Sequence, residues 1–333
     1  MHKTILTFLL LLHMGTLSAQ TYPSADLQEK MRVECDRFLK NMPADLQHRQ
    51  SEAVRSALKG DYTALQQVRQ GRNAAPALPE GVQAEYLTPT LCRFSPVKRS
   101  HEKRPVLLYL HGGGWAFGSI NSCTRFCAAV ALAANCHVVA LNYRLAPEHP
   151  FPAPLTDCIE AFRYLKNHAD AWGGDTTRIS IGGDSAGGNL TLATALSEPS
   201  VYSIIPIYPV TKVYTARTES WRKFAVRSGC EAEIMESFNT AYAGAHGHDP
   251  RASVALAADS TLQQLPPALF ISAGRDILFD QGKEFVERMQ KLGLKVEHQV
   301  FPTATHLFIT VPGQPTAFDQ AVYQVSRFLQ HRD

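Results

Sequence analysis

From Ser24 to Gln70, apolar residues recur at intervals of three and four, the spacing that places them on one face of a helix. SADLQEKMRVECDRFLKNM opens on Ser24, a residue type that caps helix N-termini. SEAVRSALKGDYTALQQVRQG follows, punctuated by Gly60 and closed by Gly71. From about Val82 the period changes. Eight short runs, AEYL, TLCRF, VLLYL, HVVALNY, RISIGG, SIIPIYPV, ALFISAG and KVEHQVF, alternate with helical stretches. Several are apolar throughout, as strands of a parallel sheet are when helices cover both faces. The alternation predicts an α/β sheet with right-handed crossovers. A second helical stretch, residues 212–249 with EAEIMESFNTAYAG near its centre, interrupts the alternation between two strands.

The pattern divides the chain into a sheet core, residues 80–211 and 250–333, and two helical segments, residues 20–79 and 212–249. Neither segment is needed to complete the sheet. Both are therefore expected as a cap over its C-terminal edge, where open α/β sheets bind ligands. Residues 1–19 follow another pattern. Lys3 precedes the apolar run ILTFLLLL, and the small residues of GTLSAQ come next. Those are the three parts of a secretory signal peptide, with cleavage expected after Ala19 and export to the periplasm or the medium. The run is shorter than the roughly 20 apolar residues that cross a bilayer, and stable membrane insertion is not expected.

Charge narrows the partners. The 33 lysines and arginines are scattered against 30 acidic residues for a net +3, with no basic run, which argues against nucleic acid. The seven cysteines are an odd number, so at least one lacks an intrachain partner. Most read as small buried apolar residues, while export leaves room for one or two disulfides. Cys123 and Cys127 stand four apart with no second ligand pair at zinc spacing, and HGHD, residues 246–249, reads as a polar loop. No metal site is expected. The oligomeric state, a homodimer included, is left open.

The chemistry lies in two glycine-rich turns. In RISIGGDSAGGNLTLATAL a strand, a sharp turn and a helix carry Gly183-Asp184-Ser185-Ala186-Gly187, the G-x-S-x-G of a nucleophile elbow. A purely structural turn is the competing reading, and the strand–turn–helix context favours the elbow. The turn sets Ser185 at a helix N-terminus, whose free N–H groups favour developing negative charge. Serine needs a base, and the base an orienting acid. In the order Ser, acid, His, the candidates are Asp276, after ALFISAGR, and His306, after KVEHQVFPTAT. Asp280 is a rival acid read as the start of the next helix, and His298 a rival base read as lying inside a strand. The second turn, HGGGW from His111, follows a buried strand. Gly113 and Gly114 are expected to present N–H groups to an oxyanion, joined by the N–H of Ala186. A phosphate loop is excluded residue by residue, since G-x-G-x-x-G would need glycine where Phe117 stands and no G-x-x-x-x-G-K-[ST] occurs. Trp115, directly after the glycines, is a candidate wall of the substrate pocket, or a packing residue.

HGGGW, YRLAPEHPFPAPLTD, GDSAGG, GRDILFD and THLF, in this order and spacing, resemble the hormone-sensitive-lipase-like family of α/β-hydrolases. The resemblance covers about Val82 to the C-terminus, more weakly the N-terminal helices. It implies an α/β-hydrolase fold, a mostly parallel eight-stranded sheet with helices on both faces and a helical cap. It also implies a serine carboxylesterase acting on small-molecule esters of short or medium acyl chains, without metal or organic cofactor. Tyr143 to Glu148 would brace the loops of the site. Three positions depart from the family pattern: Leu307 where glycine is common, Ile277 where proline is common, and a short SEPSVYS connection that leaves the length of the nucleophile helix open. A deacetylase of sugars or polysaccharides, a true lipase, a peptidase, and a non-catalytic binding protein on the same scaffold are the other readings.

Overall fold

Along VLLYL, Val106, Leu108 and Leu110 bury into one hydrophobic cluster and Leu107 and Tyr109 into another. A strand with no polar face can lie only inside a sheet covered on both sides, and that is where it lies. In the computed structural model, which describes residues 20–214 and 217–330, all eight strand runs form strands. The expected signal peptide falls outside the described residues.

Three helices come first: α1 Ala25–Asn41, α2 Leu46–Leu58 and α3 Thr63–Gly71. Then follow β1 Val82–Thr88, β2 Leu91–Pro96, β3 Arg104–Leu110, α4 Ile120–Ala134, β4 His137–Leu141 and α5 Ala153–His168. Next are β5 Gly174–Asp184, α6 Ala186–Ser197, β6 Ile204–Ile207, α7 Glu219–Lys223, α8 Ala232–Tyr242 and α9 Asp259–Leu262. The chain closes with β7 Ala268–Arg275, α10 Phe279–Lys291, β8 Val296–Thr305 and α11 Pro315–Gln330. The sheet order is β1-β2-β4-β3-β5-β6-β7-β8. β1 and β2 run antiparallel to their neighbours, and every other pair is parallel. Parallel order aligns the C-terminal ends of β3, β5, β7 and β8 on one edge, so the loops after them meet there. Helix α6 is buried from Ala186 to Ala195, which its apolar sequence allows, and it ends at Ser197, settling the length of the nucleophile helix.

The two helical segments meet, α2 packing on α8. The seam is polar: Ser51 and Ser237 share a hydrogen bond of 2.6 Å, Glu231 N donates to Gln47 Oε1 at 2.7 Å, and Arg55 pairs with Glu233 at 2.8 Å. The N-terminal segment is not wholly a cap, however. Its first part completes the sheet edge: Thr21 N donates to His298 O at 2.8 Å, and Val300 N to Thr21 O at 2.9 Å. Helix α1, capped by Ser24, lies on β8 and α11, because β8 is an edge strand whose outer face needs cover.

Candidate active site

Ser185 joins β5 to α6 at φ +55° and ψ −116°, a region that costs a non-glycine residue about 1–3 kcal/mol. The elbow is held from both sides. Ser185 N donates to Ile207 O at 2.9 Å, and Ser185 O accepts from Asn189 N at 3.0 Å. A Cβ at Gly187 would overlap the Leu110 carbonyl oxygen, so only glycine lets α6 approach β3 this closely.

His306 follows β8 and Asp276 follows β7. With its Nδ1 proton donated to Asp276 Oδ2 at 2.6 Å, the imidazole accepts at Nε2 from the Ser185 hydroxyl at 3.0 Å. All three residues are buried. Asp276 Oδ1 accepts from Leu278 N at 3.0 Å, which fixes the carboxylate. The histidine loop is clamped by Gln314, whose Nε2 donates to His306 O at 3.1 Å and whose Oε1 accepts from Thr305 N at 3.0 Å. Leu307 stands at φ +75°, a conformation that favours glycine, the residue the family resemblance implies at this place. A hydroxyl bonded to an imidazole that is itself bonded to a carboxylate can lose its proton as it attacks a carbonyl.

The two rivals have other work. Asp280 opens α10, and its Oδ2 accepts from Ser220 N at 2.7 Å, tying α7 down. His298 is buried within β8 against Ser272 Oγ at 2.9 Å, and burial pushes its pKa down to about 4.

The glycine loop turns on Gly113 and Gly114, at φ +116° and +59°. Among the described residues no acceptor takes the N–H of either, and both line a cavity with Ser185 and His306. Ala186 is the first residue of α6, so its N–H has no intrahelical partner. Trp115 is the correction. It is fully buried, absent from the cavity wall, and stacked on Tyr242 at 4.2 Å. Its φ of +56° turns the side chain back into the cap, where a large ring gains more from burial than from a solvated rim.

Three supports were not read from the sequence. Asp184, the second residue of the elbow motif, accepts from Tyr109 OH at 2.9 Å and Gly112 N at 3.0 Å. It thus ties the elbow to the glycine loop, and burial raises its pKa to about 6. A carboxylate inside an apolar strand–turn was the available signal. Tyr208 packs its ring 4.4 Å from that of His306 and accepts from Ile309 N at 3.3 Å. Nothing in SIIPIYPV distinguishes it from a core residue. Arg69 donates to Ala116 O at 2.8 Å and Ala146 O at 2.9 Å and pairs with Glu148, bracing the loop after the glycines. Tyr143 OH adds a bond to His111 O at 2.7 Å, so Tyr143 to Glu148 do hold the site's loops.

The cavity measures about 370 Å³. Phe38, Met42, Leu46, Ile234, Met235 and Phe238 line it with apolar side chains from both helical segments. Among the described residues no group of histidine, cysteine and carboxylate could hold a metal ion. His246–Asp249 forms a loop in which Asp249 pairs with Arg251 and His248 stacks on Tyr214. All seven cysteines are buried and unbridged in this structure. No helix among the described residues is long and apolar enough to cross a membrane.

A family model for the alpha/beta hydrolase fold matches residues 107–310. An ethyl acetate hydrolase of Pseudomonas putida is 35% identical over 235 residues, 68% of this chain and 72% of its own. A carboxylesterase of Mycobacterium tuberculosis is 30% identical over 253 residues, 72% of this chain and 78% of its own. The solved structure of an ester hydrolase from the metagenome of Lake Arreo superposes with a TM-score of 0.70 at 28% identity, covering 92% of this chain and 98% of that one.

Proposed function

We propose, for a chain that belongs to the α/β-hydrolase family in its hormone-sensitive-lipase-like branch and is a carboxylic ester hydrolase, a serine mechanism built on the three residues aligned at the sheet edge. Ser185 attacks the ester carbonyl while His306 takes its proton. Asp276 holds the imidazole and stabilises its charged form. The N–H groups of Gly113, Gly114 and Ala186 receive the oxyanion, each donor contributing roughly 3–4 kcal/mol to the transition state. His306 returns the proton to the leaving alcohol, and water, activated by the same imidazole, releases the acid. The single observation that carries this reading is the unbroken chain from Asp276 through His306 to the Ser185 hydroxyl, 2.6 and 3.0 Å, opening on a cavity lined by Gly113 and Gly114.

The substrates are esters of short to medium acyl chains. A pocket of 370 Å³ is near the low end for small-molecule sites. Each methylene it buries gains roughly 0.8 kcal/mol until it is full. Beyond that, added carbons must displace the α2–α8 lid. On a series of nitrophenyl esters, kcat/KM should peak at acyl chains of about two to six carbons and fall at least tenfold by about twelve, a loss of only 1.4 kcal/mol. Rates still climbing at twelve carbons, or appearing only above the micellar threshold, would show an open, lipase-like site. Failure to turn over acetyl and butyryl esters at all would favour a binding protein on this scaffold.

The apolar run before GTLSAQ supports export, with Gln20 as the mature N-terminus. Sequencing the protein from its native host checks this, and an N-terminus still at Met1 would refute it.

A further inference from the structure

Two arginines leave the end of α3 with opposite fates. Arg69 spends its donors on two carbonyls and on Glu148. Arg72, three residues on, is half-buried and lines the cavity with Gly113, Gly118 and Ser122. Its guanidinium sits over the Phe117 ring, 5.5 Å from the centroid. Among the described residues no oxygen accepts a hydrogen bond from it and no carboxylate touches it, although the charge of Asp184 acts on it through space. Guanidinium carries five donors and stays charged in proteins, so an unpaired one at a cavity wall lacks its counterpart. Among the described residues Asp184 is the one carboxylate on the cavity wall, and it acts on Arg72 without touching it, because its Oδ1 is taken by Tyr109 and Gly112. A second cation, Arg37, stands at the exposed rim.

We propose that Arg72 recognises an anionic group, a carboxylate in the simplest case, carried by the ester substrate. Half-esters of dicarboxylic acids and esters of hydroxy acids then become preferred substrates. This inference rests on the esterase reading above. The guanidinium is held over the Phe117 ring at the cavity wall, and its fork of donors can take a carboxylate at two points.

Two matched substrate pairs test it. Nitrophenyl hemisuccinate against nitrophenyl butyrate places the carboxylate on the acyl half. The butyryl ester of hydroxybenzoate against phenyl butyrate places it on the alcohol half. In Arg72→Met the anionic-to-neutral ratio of kcat/KM should fall at least tenfold for one pair, which identifies the half that meets the arginine. Arg72→Lys should give a ratio between those of wild type and Arg72→Met, because it retains the charge but loses the two-pronged fork; Arg72→Gln replaces Arg72→Met if that variant does not fold. An independent arm reads recognition without turnover: on Ser185→Ala protein, calorimetry with monoethyl succinate and with the butyryl ester of hydroxybenzoate should show at least tenfold weaker binding of one of them when Arg72→Met is added. Ratios and affinities within twofold of the parent in folded protein would overturn the proposal. A binding shift without any wild-type turnover would instead sink the esterase reading and leave the anion site standing.

Discussion

Ser185→Ala is expected to lower ester turnover by at least three orders of magnitude and to leave the fold intact. Removing a nucleophile that acts as a unit with its base costs up to about a millionfold in a comparable serine enzyme, and what remains is binding and oxyanion stabilisation. The fold should survive because the elbow is held by backbone bonds, Ser185 N to Ile207 O and Asn189 N to Ser185 O, and not by the hydroxyl. Ser185→Gly sharpens the test. At φ +55° glycine relieves strain that serine bears, so this variant should be equally inactive yet more stable, by about 1 kcal/mol or more. The measurements are kcat/KM on nitrophenyl butyrate and a denaturant melt for each. More than a few per cent of wild-type activity in a folded Ser185→Ala protein would remove Ser185 from its role.

Asp276→Asn against Asp280→Asn is the second large effect. Asparagine at 276 can donate to His306 Nδ1, favouring the tautomer with its proton on Nε2. That nitrogen then cannot take the Ser185 proton. The equivalent change elsewhere costs about ten-thousandfold in kcat, and a loss of at least a thousandfold is expected here. Asp280 touches Ser220 in α7 and not the imidazole. Its amide replacement keeps an acceptor oxygen, so activity should stay within about fivefold, with a stability cost near 1 kcal/mol. With both variants shown to be folded, the reverse ranking would overturn the assignment of the acid.

Much of this was legible because local chemistry forced it. Several strands announce themselves where both faces are apolar, as at Leu107 to Leu110, and the elbow where glycines flank a serine between strand and helix. Chain order admitted Asp276, Asp280, His298 and His306 alike, and position relative to the strand ends chose Asp276 and His306. A residue just past a strand end can reach the shared edge, whereas one inside β8 or in the first turn of α10 cannot. Trp115 was not legible. Its neighbours in the chain point to the cavity, and only the tertiary meeting with Tyr242 decides that the ring turns away.

What the sequence by itself determined is therefore the set of parts: the α/β alternation, the two helical segments, the serine, acid and histidine, and the bare glycines. Each depends on a period or on a conformational need confined to a few residues. What only the tertiary structure decided is who meets whom across long separations in the chain. Asp184 reaching Gly112, α1 closing the β8 edge while α2 closes the cap, and Arg72 set over Phe117 at the cavity wall all belong here. Such contacts come from the sheet order and from the packing of elements far apart in sequence. No short window encodes them, because the same aspartate or arginine could be satisfied by any of several partners until the chain is folded.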